Sequence, residues 1–228
     1  MPADLTYHWP LLGLRWFLAH PRLWWRPLLV HAVALTALIL VAVGVAFACW
    51  PGDLAWWWYA LRASLALGLG AVAALAVWAT LVPLLLMPVL DSLAVAVLRE
   101  RGMAVAQVPL LPSMLAGVHV IRHTLRLRLT VLGLGLIAAF LGPVGPLLGS
   151  YALARLAVVD AYDVALSVHG WSSHQRLAFY ADNPWFWQRS ALLAGVLHLL
   201  LAFTLLGWLL WLPALVCGAA LRSTPPPQ

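Results

Sequence analysis

Four long runs without Asp, Glu, Lys or Arg divide the chain, at 27–50, 63–87, 129–154 and 190–221. In a helix, which rises 1.5 Å per residue, about 20 apolar residues cross the hydrocarbon core of a bilayer. The first two runs have that length, and each predicts one long transmembrane helix. The stretch between them, "CWPGDLAWWWYALR", combines a Pro-Gly turn with an aromatic belt that is typical of a membrane interface.

The third and fourth runs have glycine and proline near their middles, in "LGPVGP" and "TLLGWLLWLP". Each run fits one kinked crossing, or two arms of about 13 residues that turn back inside the bilayer after roughly 20 Å. The turning arrangement keeps more arginines on one side of the membrane, which favours it. We therefore predict partly penetrating helical hairpins with tips at Gly142–Gly145 and Gly207–Pro213.

Shorter segments flank the first two runs. "YHWPLLGLRWFLAHP" predicts an N-terminal helix lying in the membrane interface, the alternative being that it forms the first turns of the following span. Beyond the second run, Pro88 and Asp91 predict the start of a new helix and Gly102 predicts its end. In the second run, Ala66, Gly70 and Ala74 form a small-residue stripe suited to close helix packing.

Composition agrees with this pattern. Hydrophobic residues make up 64% of the 228 and charged residues 9%, whereas soluble domains have about 25% charged residues. This composition excludes a soluble protein. The lipid bilayer is therefore a predicted partner of the chain. We predict one membrane domain over 1–222, with a disordered tail at 223–228.

The charge is +6, and all thirteen basic residues are arginine. Because the arginines lie between apolar runs, lipid headgroups, orientation or a small anion explain them better than nucleic acid. Arginine is rich before the first span and at 91–128 but reduced to Arg62 at 51–62, which predicts a cytoplasmic N-terminus. Cys49 and Cys217 stand far apart in apolar runs and indicate neither a disulfide nor a metal framework.

The order of segments resembles the CysZ-type sulfate permeases and the wider etoposide-induced-protein-like membrane family, over about residues 10–222. The resemblance is carried by "FLAHPRLWWRPLLV", "MPVLDSLAVAVLRERG", the basic segment at 119–126, "LGPVGP", "VVDAYDVAL" and "LPALVCGAALR". It implies two long transmembrane helices plus partly penetrating hairpins, a homo-oligomer, and a bacterial inner-membrane channel or permease for sulfate.

The resemblance also implies an anion site before the first span, at Arg22, Leu23, Trp24 and Trp25, with Arg26 next. The family pattern there is Gly-hydrophobic-Arg-Arg, so this chain has arginine in place of the glycine and tryptophans in place of both arginines. Free N–H groups at a helix start and two guanidinium groups suit an anion. The same residues suit a headgroup anchor, with tryptophan at the interface.

Two further clusters are candidates. His119, Arg122, His123 and Arg126 follow helical spacing as a basic stripe; adjacent arginines disfavour a metal between the histidines, so a lipid-phosphate contact or an anion vestibule fits better. Asp160 and Asp163 lie one helical turn apart near Arg155. They are consistent with a Mg²⁺ pair in a lipid enzyme, but a structural role, pairing with Arg155 or capping helices, is the better interpretation.

The sequence thus predicts an all-α integral membrane protein that is not an enzyme and has no catalytic residues, cofactor or metal. Its predicted function is passage or binding of a small inorganic anion, sulfate first. The alternative is a non-transporting membrane organiser or lipid-interacting protein of the same fold.

Overall fold

The computed structural model describes residues 8–48, 56–103, 105, 122, 125–131, 133–134, 137, 141, 144–202 and 204–224. Within these residues all regular secondary structure is helical, which confirms the all-α prediction. The helices are α1 (Trp9–Ala19), α2 (Trp25–Ala48), α3 (Trp56–Glu100), α4 (Gly145–Val168), α5 (Ser173–Asp182), α6 (Pro184–Ala202) and α7 (Leu205–Arg222). Residues 125–131 are helical as well. In the described part of the chain, one stretch, Pro21–Val45, is long and apolar enough to cross a membrane.

The chain divides into two compact units. The first comprises Met1–Leu28 with Met87–Gln228, and the second comprises Leu29–Leu86. The prediction of a single domain over 1–222 stays a prediction.

In the second unit, α2 and α3 approach each other at small residues. Ala66 and Gly70 of the predicted stripe are both buried, and a Cβ at Gly70 would lie 3.1 Å from the carbonyl oxygen of Ala42. The side chain of Ala74, the third residue of the stripe, is outside the described set. Close backbone contact at small residues is how apolar helices associate where water provides no driving force.

Helix α1 is a separate element of the first unit. Pro10 occupies its first turn, where a missing N–H does no harm. A 3-10 turn at Pro21–Leu23 separates α1 from α2, so the alternative in which this segment begins the first span is wrong. The buried face of α1 carries Trp9, Pro10, Gly13 and Phe17 and packs on α7.

Gly13 and Gly218 allow α1 and α7 to touch backbone to backbone. A Cβ on Gly13 would overlap the carbonyl oxygen of Ala214 and the amide nitrogen of Gly218. A Cβ on Gly218 would overlap the carbonyl oxygen of Trp9 and come within 3.1 Å of the Gly13 Cα. Only glycine fits at this crossing.

Helix α3 corrects one prediction. It continues through Pro88 and Asp91 to Glu100, so no new helix begins there. Leu86, Leu90, Leu93 and Leu98 are all buried, and this packing outweighs the local tendency of proline to end a helix. The predicted end is confirmed, because Gly102 has φ 77°, the left-handed conformation that terminates a helix.

Helices α6 and α7 form an antiparallel hairpin. The indole of Trp211 donates to the carbonyl oxygen of Ala194 at 3.2 Å, and Thr204 caps α7 by accepting from the Gly207 amide at 3.0 Å. The turn therefore precedes Gly207, and the predicted tip at Gly207–Pro213 is wrong. Pro213 lies inside α7, because the Thr204 hydroxyl starts the helix several residues earlier than the glycine and proline suggest.

Residues 125–131 and α4 form the arms on either side of the other turn, and α4 begins at Gly145, within the predicted tip. Helix α4 also packs against α6, where a Cβ on Gly195 would lie 3.4 Å from the Tyr151 Cα. Gly195 of α6 faces Tyr151 and Ala154 of α4, whereas His198 faces Ser150, so the two helices run antiparallel. Because α4 leads away from its turn and α6 leads towards its own, the two turns lie at the same end of the unit.

The first two residues of the predicted disordered tail are ordered. Ser223 is buried, and its amide donates to the carbonyl oxygen of Ala219 at 2.7 Å. The indole of Trp171 donates to the carbonyl oxygen of Thr224 at 2.9 Å. The prediction of disorder is therefore wrong for 223–224, and residues 225–228 lie outside the described set.

Candidate functional site

The end of the first unit that lies away from the two turns carries a buried ion pair. Arg128 donates through one terminal nitrogen to both carboxylate oxygens of Asp160, each at 2.9 Å, and both side chains are buried. Asp160 lies on α4 and Arg128 on the preceding helical segment. The pair therefore joins the two arms of one hairpin at its base.

A second ion pair lies one turn further along α4. Arg176 on α5 donates to the Asp163 carboxylate at 2.7 Å and to the Asp163 carbonyl oxygen at 3.2 Å. The Tyr180 hydroxyl donates to the other Asp163 carboxylate oxygen at 3.3 Å. Burial raises the pKa of Asp163 to about 6, and the guanidinium of Arg176 opposes that rise. Helix α5 is thereby fixed to the base of α4.

The partners of the aspartates differ from the prediction. Arg155, the predicted partner, is exposed and makes no hydrogen bond or ion pair with any described residue. Five residues along a helix turn the chain by about 500°, so Arg155 points about 140° away from Asp160. Asp91 is buried too, and its charge acts on Asp163 in the same direction as burial does.

An aromatic cluster centres on Tyr162, the neighbour of Asp163 in the chain. Tyr162 lies edge-on to Trp9, Phe186 and Trp187, with ring centroids 4.9, 5.4 and 5.1 Å away. Trp9 also donates from its indole to the Ser190 hydroxyl at 2.9 Å. This packing joins α1, α4 and α6. Asp160 and Asp163 are themselves buried, and each carboxylate is paired with an arginine, which disfavours the Mg²⁺ interpretation.

The predicted anion stretch is held together by its own contacts. The indole of Trp24 donates to the carbonyl oxygen of Phe17 at 2.8 Å, at the end of α1. The amides of Leu23 and Trp24 donate to His20 and Pro21 within the 3-10 turn, so these two N–H groups are occupied. The guanidinium of Arg26 lies 5.5 Å from the Trp25 ring and makes a long contact of 3.5 Å to the Ser92 hydroxyl.

Arg22 remains accessible. It lies on the 3-10 turn, is exposed, and makes no hydrogen bond with any described residue. The structure thus brings Arg22, Leu23, Trp24 and Arg26 together where the 3-10 turn meets the start of α2, but it leaves the guanidinium groups at the surface and uses the neighbouring amides internally.

The basic stripe is described only in part. Arg122 and Arg126 are helical and exposed, whereas His119 and His123 lie outside the described residues. No group of three or more His, Cys, Asp or Glu side chains among the described residues is arranged to hold a metal ion.

The structure adds a polar contact that the sequence did not indicate. The imidazole of His198 lies 3.1 Å from the Ser150 hydroxyl, and both residues are buried within the otherwise uncharged arms of the two hairpins. Trp211 packs on the imidazole at 4.6 Å between ring centroids. The sequence could not predict this contact, because a single histidine in an apolar run has no spacing pattern that identifies its hydrogen-bond partner.

Comparisons with family models, with curated proteins and with solved structures find no match to this chain.

Proposed function

We propose that this chain is an integral membrane protein whose two long helices cross the bilayer and whose hairpins enter it from one side to partial depth. We further propose that it passes or binds a small inorganic anion, sulfate first, in a bacterial inner membrane. The single observation that carries the membrane part is the separation of charge from the turns in the first unit.

That separation follows from the hairpin geometry. Each arm near a turn is free of Asp, Glu, Lys and Arg, and the buried ion pairs lie at the opposite end. From Gly145 to Ala154, α4 rises about 15 Å, and from Ser190 to Ala202, α6 rises about 20 Å. Both lengths are shorter than the hydrocarbon core of about 30 Å. Apolar arms of that depth fit hairpins that penetrate and return.

The second unit supports the same proposal. Its helices expose large apolar side chains along their length, including Leu40 at 68% and Phe47 at 83% of their surface. Soluble proteins rarely expose contiguous apolar surfaces of this extent. Lipid is the environment in which these side chains are stable.

The anion part rests on Arg22 and Arg26 and on the resemblance to the sulfate permeases. Arg22 has an accessible guanidinium group, and arginine binds tetrahedral oxyanions through paired N–H donors. The pair stands at the start of α2, where the positive end of the helix dipole also favours an anion.

The hairpin arrangement can be tested by cysteine labelling in intact cells and in inside-out membrane vesicles, which present opposite sides of the membrane to the reagent. Single cysteines replace the exposed residues Arg99, Arg155 and Asp182 in a chain with Cys49→Ala and Cys217→Ala. We expect a membrane-impermeant maleimide to reach all three from the same side. A fourth cysteine, at the exposed Leu147 near a turn, is expected to stay unlabelled until the protein is denatured, because lipid covers it. Labelling of Arg155→Cys and Arg99→Cys from opposite sides would refute the hairpins.

Anion passage can be tested by uptake of radiolabelled sulfate into proteoliposomes. We expect wild-type protein to take up sulfate and Arg22→Ala/Arg26→Ala to reduce uptake by at least about tenfold, since each hydrogen bond to a charged group contributes about 1.5–3 kcal/mol. The matched control is Arg155→Ala/Arg189→Ala, which removes two exposed arginines elsewhere and gives the same net charge as the test variant. No uptake by well-folded wild-type protein would contradict the proposal and favour the non-transporting alternative.

A further inference from the structure

The face of α1 that does not pack on α7 combines apolar and basic residues. Leu11, Arg15 and Leu18 follow one another at i, i+4 and i+7 and are all exposed, with Leu11 at 42% and Leu18 at 52% of their surface. They lie opposite the buried face that carries Gly13 and Phe17. A helix of this kind presents apolar side chains and arginine together to one environment.

The same composition continues into the turn that follows. Arg22, Trp25 and Arg26 are exposed, Trp25 at 58%, and Arg26 lies against the Trp25 ring. The hydrogen bond from the Trp24 indole to the Phe17 carbonyl oxygen fixes this turn to the end of α1. We call Leu11, Arg15, Leu18, Arg22, Trp25 and Arg26 the basic-aromatic face.

The charge near this face is strongly positive. The acidic residue Glu100 contacts the end of α1. It accepts from the Trp16 indole at 2.9 Å and lies 3.5 Å from the His20 imidazole. On either side of Glu100, Arg99 and Arg101 are exposed as well. Five exposed arginines thus stand against one carboxylate that already has two partners.

We propose that the basic-aromatic face docks the headgroups of anionic phospholipids. The guanidinium groups of Arg15, Arg22 and Arg26 contact lipid phosphate and carry the preference for anionic lipid. Leu11, Leu18 and Trp25 enter the boundary between headgroups and acyl chains, where tryptophan is most stable. This inference rests on the membrane location proposed above, and it assigns to lipid phosphate the same Arg22 and Arg26 guanidinium groups that the anion proposal assigns to sulfate, so the experiment must separate the two.

Native mass spectrometry of the full chain released from detergent tests the proposal with phosphatidylglycerol and phosphatidylcholine as probes. We expect phosphatidylglycerol to bind more tightly than phosphatidylcholine. We expect Arg15→Gln/Arg22→Gln/Arg26→Gln to remove that preference. An arginine near an anionic surface contributes about fivefold in affinity, so the loss is on the order of 100-fold for the three. Raised salt should weaken the preference in the wild type.

The matched control is Arg62→Gln/Arg155→Gln/Arg189→Gln, which removes three other exposed arginines and gives the same net charge. It should keep the preference; an equal loss would overturn the proposal, since charge alone would then suffice. If Arg15→Gln/Arg22→Gln/Arg26→Gln changes the mass of the oligomer but leaves lipid binding unchanged, the face binds a second copy of the chain, and the lipid proposal is wrong.

Inorganic sulfate separates the two possible sources of the anion. If sulfate competes with phosphatidylglycerol at this face with equal affinity, the face is a free-anion site and lipid docking is wrong. If the wild type takes up no sulfate yet keeps its lipid preference, the proposed permease function fails and the lipid inference stands.

Discussion

Asp160→Asn is expected to lower the free energy of unfolding by about 3–5 kcal/mol, because it removes the carboxylate charge that the buried Arg128 guanidinium contacts. Asparagine has nearly the same shape as aspartate, so the loss reports the charge and not a cavity. Urea unfolding in detergent micelles, followed by tryptophan fluorescence, measures the change. The control is Asp182→Asn, which removes an exposed carboxylate from the end of α5 and should have little effect.

A second variant separates the ion pair from the packing around it. Asp160→Leu/Arg128→Met replaces both charges with apolar side chains and should recover most of the lost stability, since an apolar pair avoids the desolvation of two charges. A double variant as unstable as Asp160→Asn would show that the arms depend on the charges themselves.

Gly13→Ala is expected to destabilise the protein by about 3 kcal/mol, at the upper end of what overpacking causes. The new methyl group would overlap the Ala214 carbonyl oxygen and the Gly218 amide nitrogen, and backbone atoms cannot move aside as a flexible side chain can. Helices α1 and α7 must then separate, which exposes Trp9 and Phe17, both fully buried.

The same unfolding measurement serves for this variant, and Gly133→Ala is its control. Gly133 is helical, is exposed, and has open space around its Cα. Alanine there should raise stability slightly, because glycine disfavours a helix by about 1 kcal/mol. Wild-type stability in Gly13→Ala would mean that α1 does not pack on α7 as described.

The lengths of the uncharged runs predicted the helices well, whereas the positions of glycine and proline predicted the helix ends poorly. The uncharged run at 190–221 is too long for one pass, and it indeed forms two helices. The turn was predicted too late in the chain, because glycine and proline are the stronger turn signals in this run, whereas the turn is set by one capping residue, Thr204. The predicted helix start at Pro88 was wrong for a related reason. Helix α3 continues through this proline because its side chains are buried, and that burial depends on segments distant in the sequence.

Among the polar residues, too, some features were predictable from the sequence and others were not. Asp160 and Asp163 stand out as a pair because one turn of α4 separates them. Their partners Arg128 and Arg176 come from other elements and had no signal in spacing, whereas the nearby Arg155 points elsewhere. At the predicted anion turn, the sequence shows the arginines and tryptophans, but it does not predict the hydrogen bond from Trp24 to the Phe17 carbonyl oxygen.

The packing of α1 on α7 sets an order of events during biosynthesis. Ser190, which accepts from the Trp9 indole, is 181 residues further along the chain, and Gly218 comes later still. At a translation rate of about 5–20 residues per second, Trp9 waits roughly 10–40 s for that partner. Helix α1 is therefore made well before α7 and cannot pack on it until α7 has left the ribosome, and until then its Trp9 and Phe17 are an apolar surface that chaperones or lipid must cover.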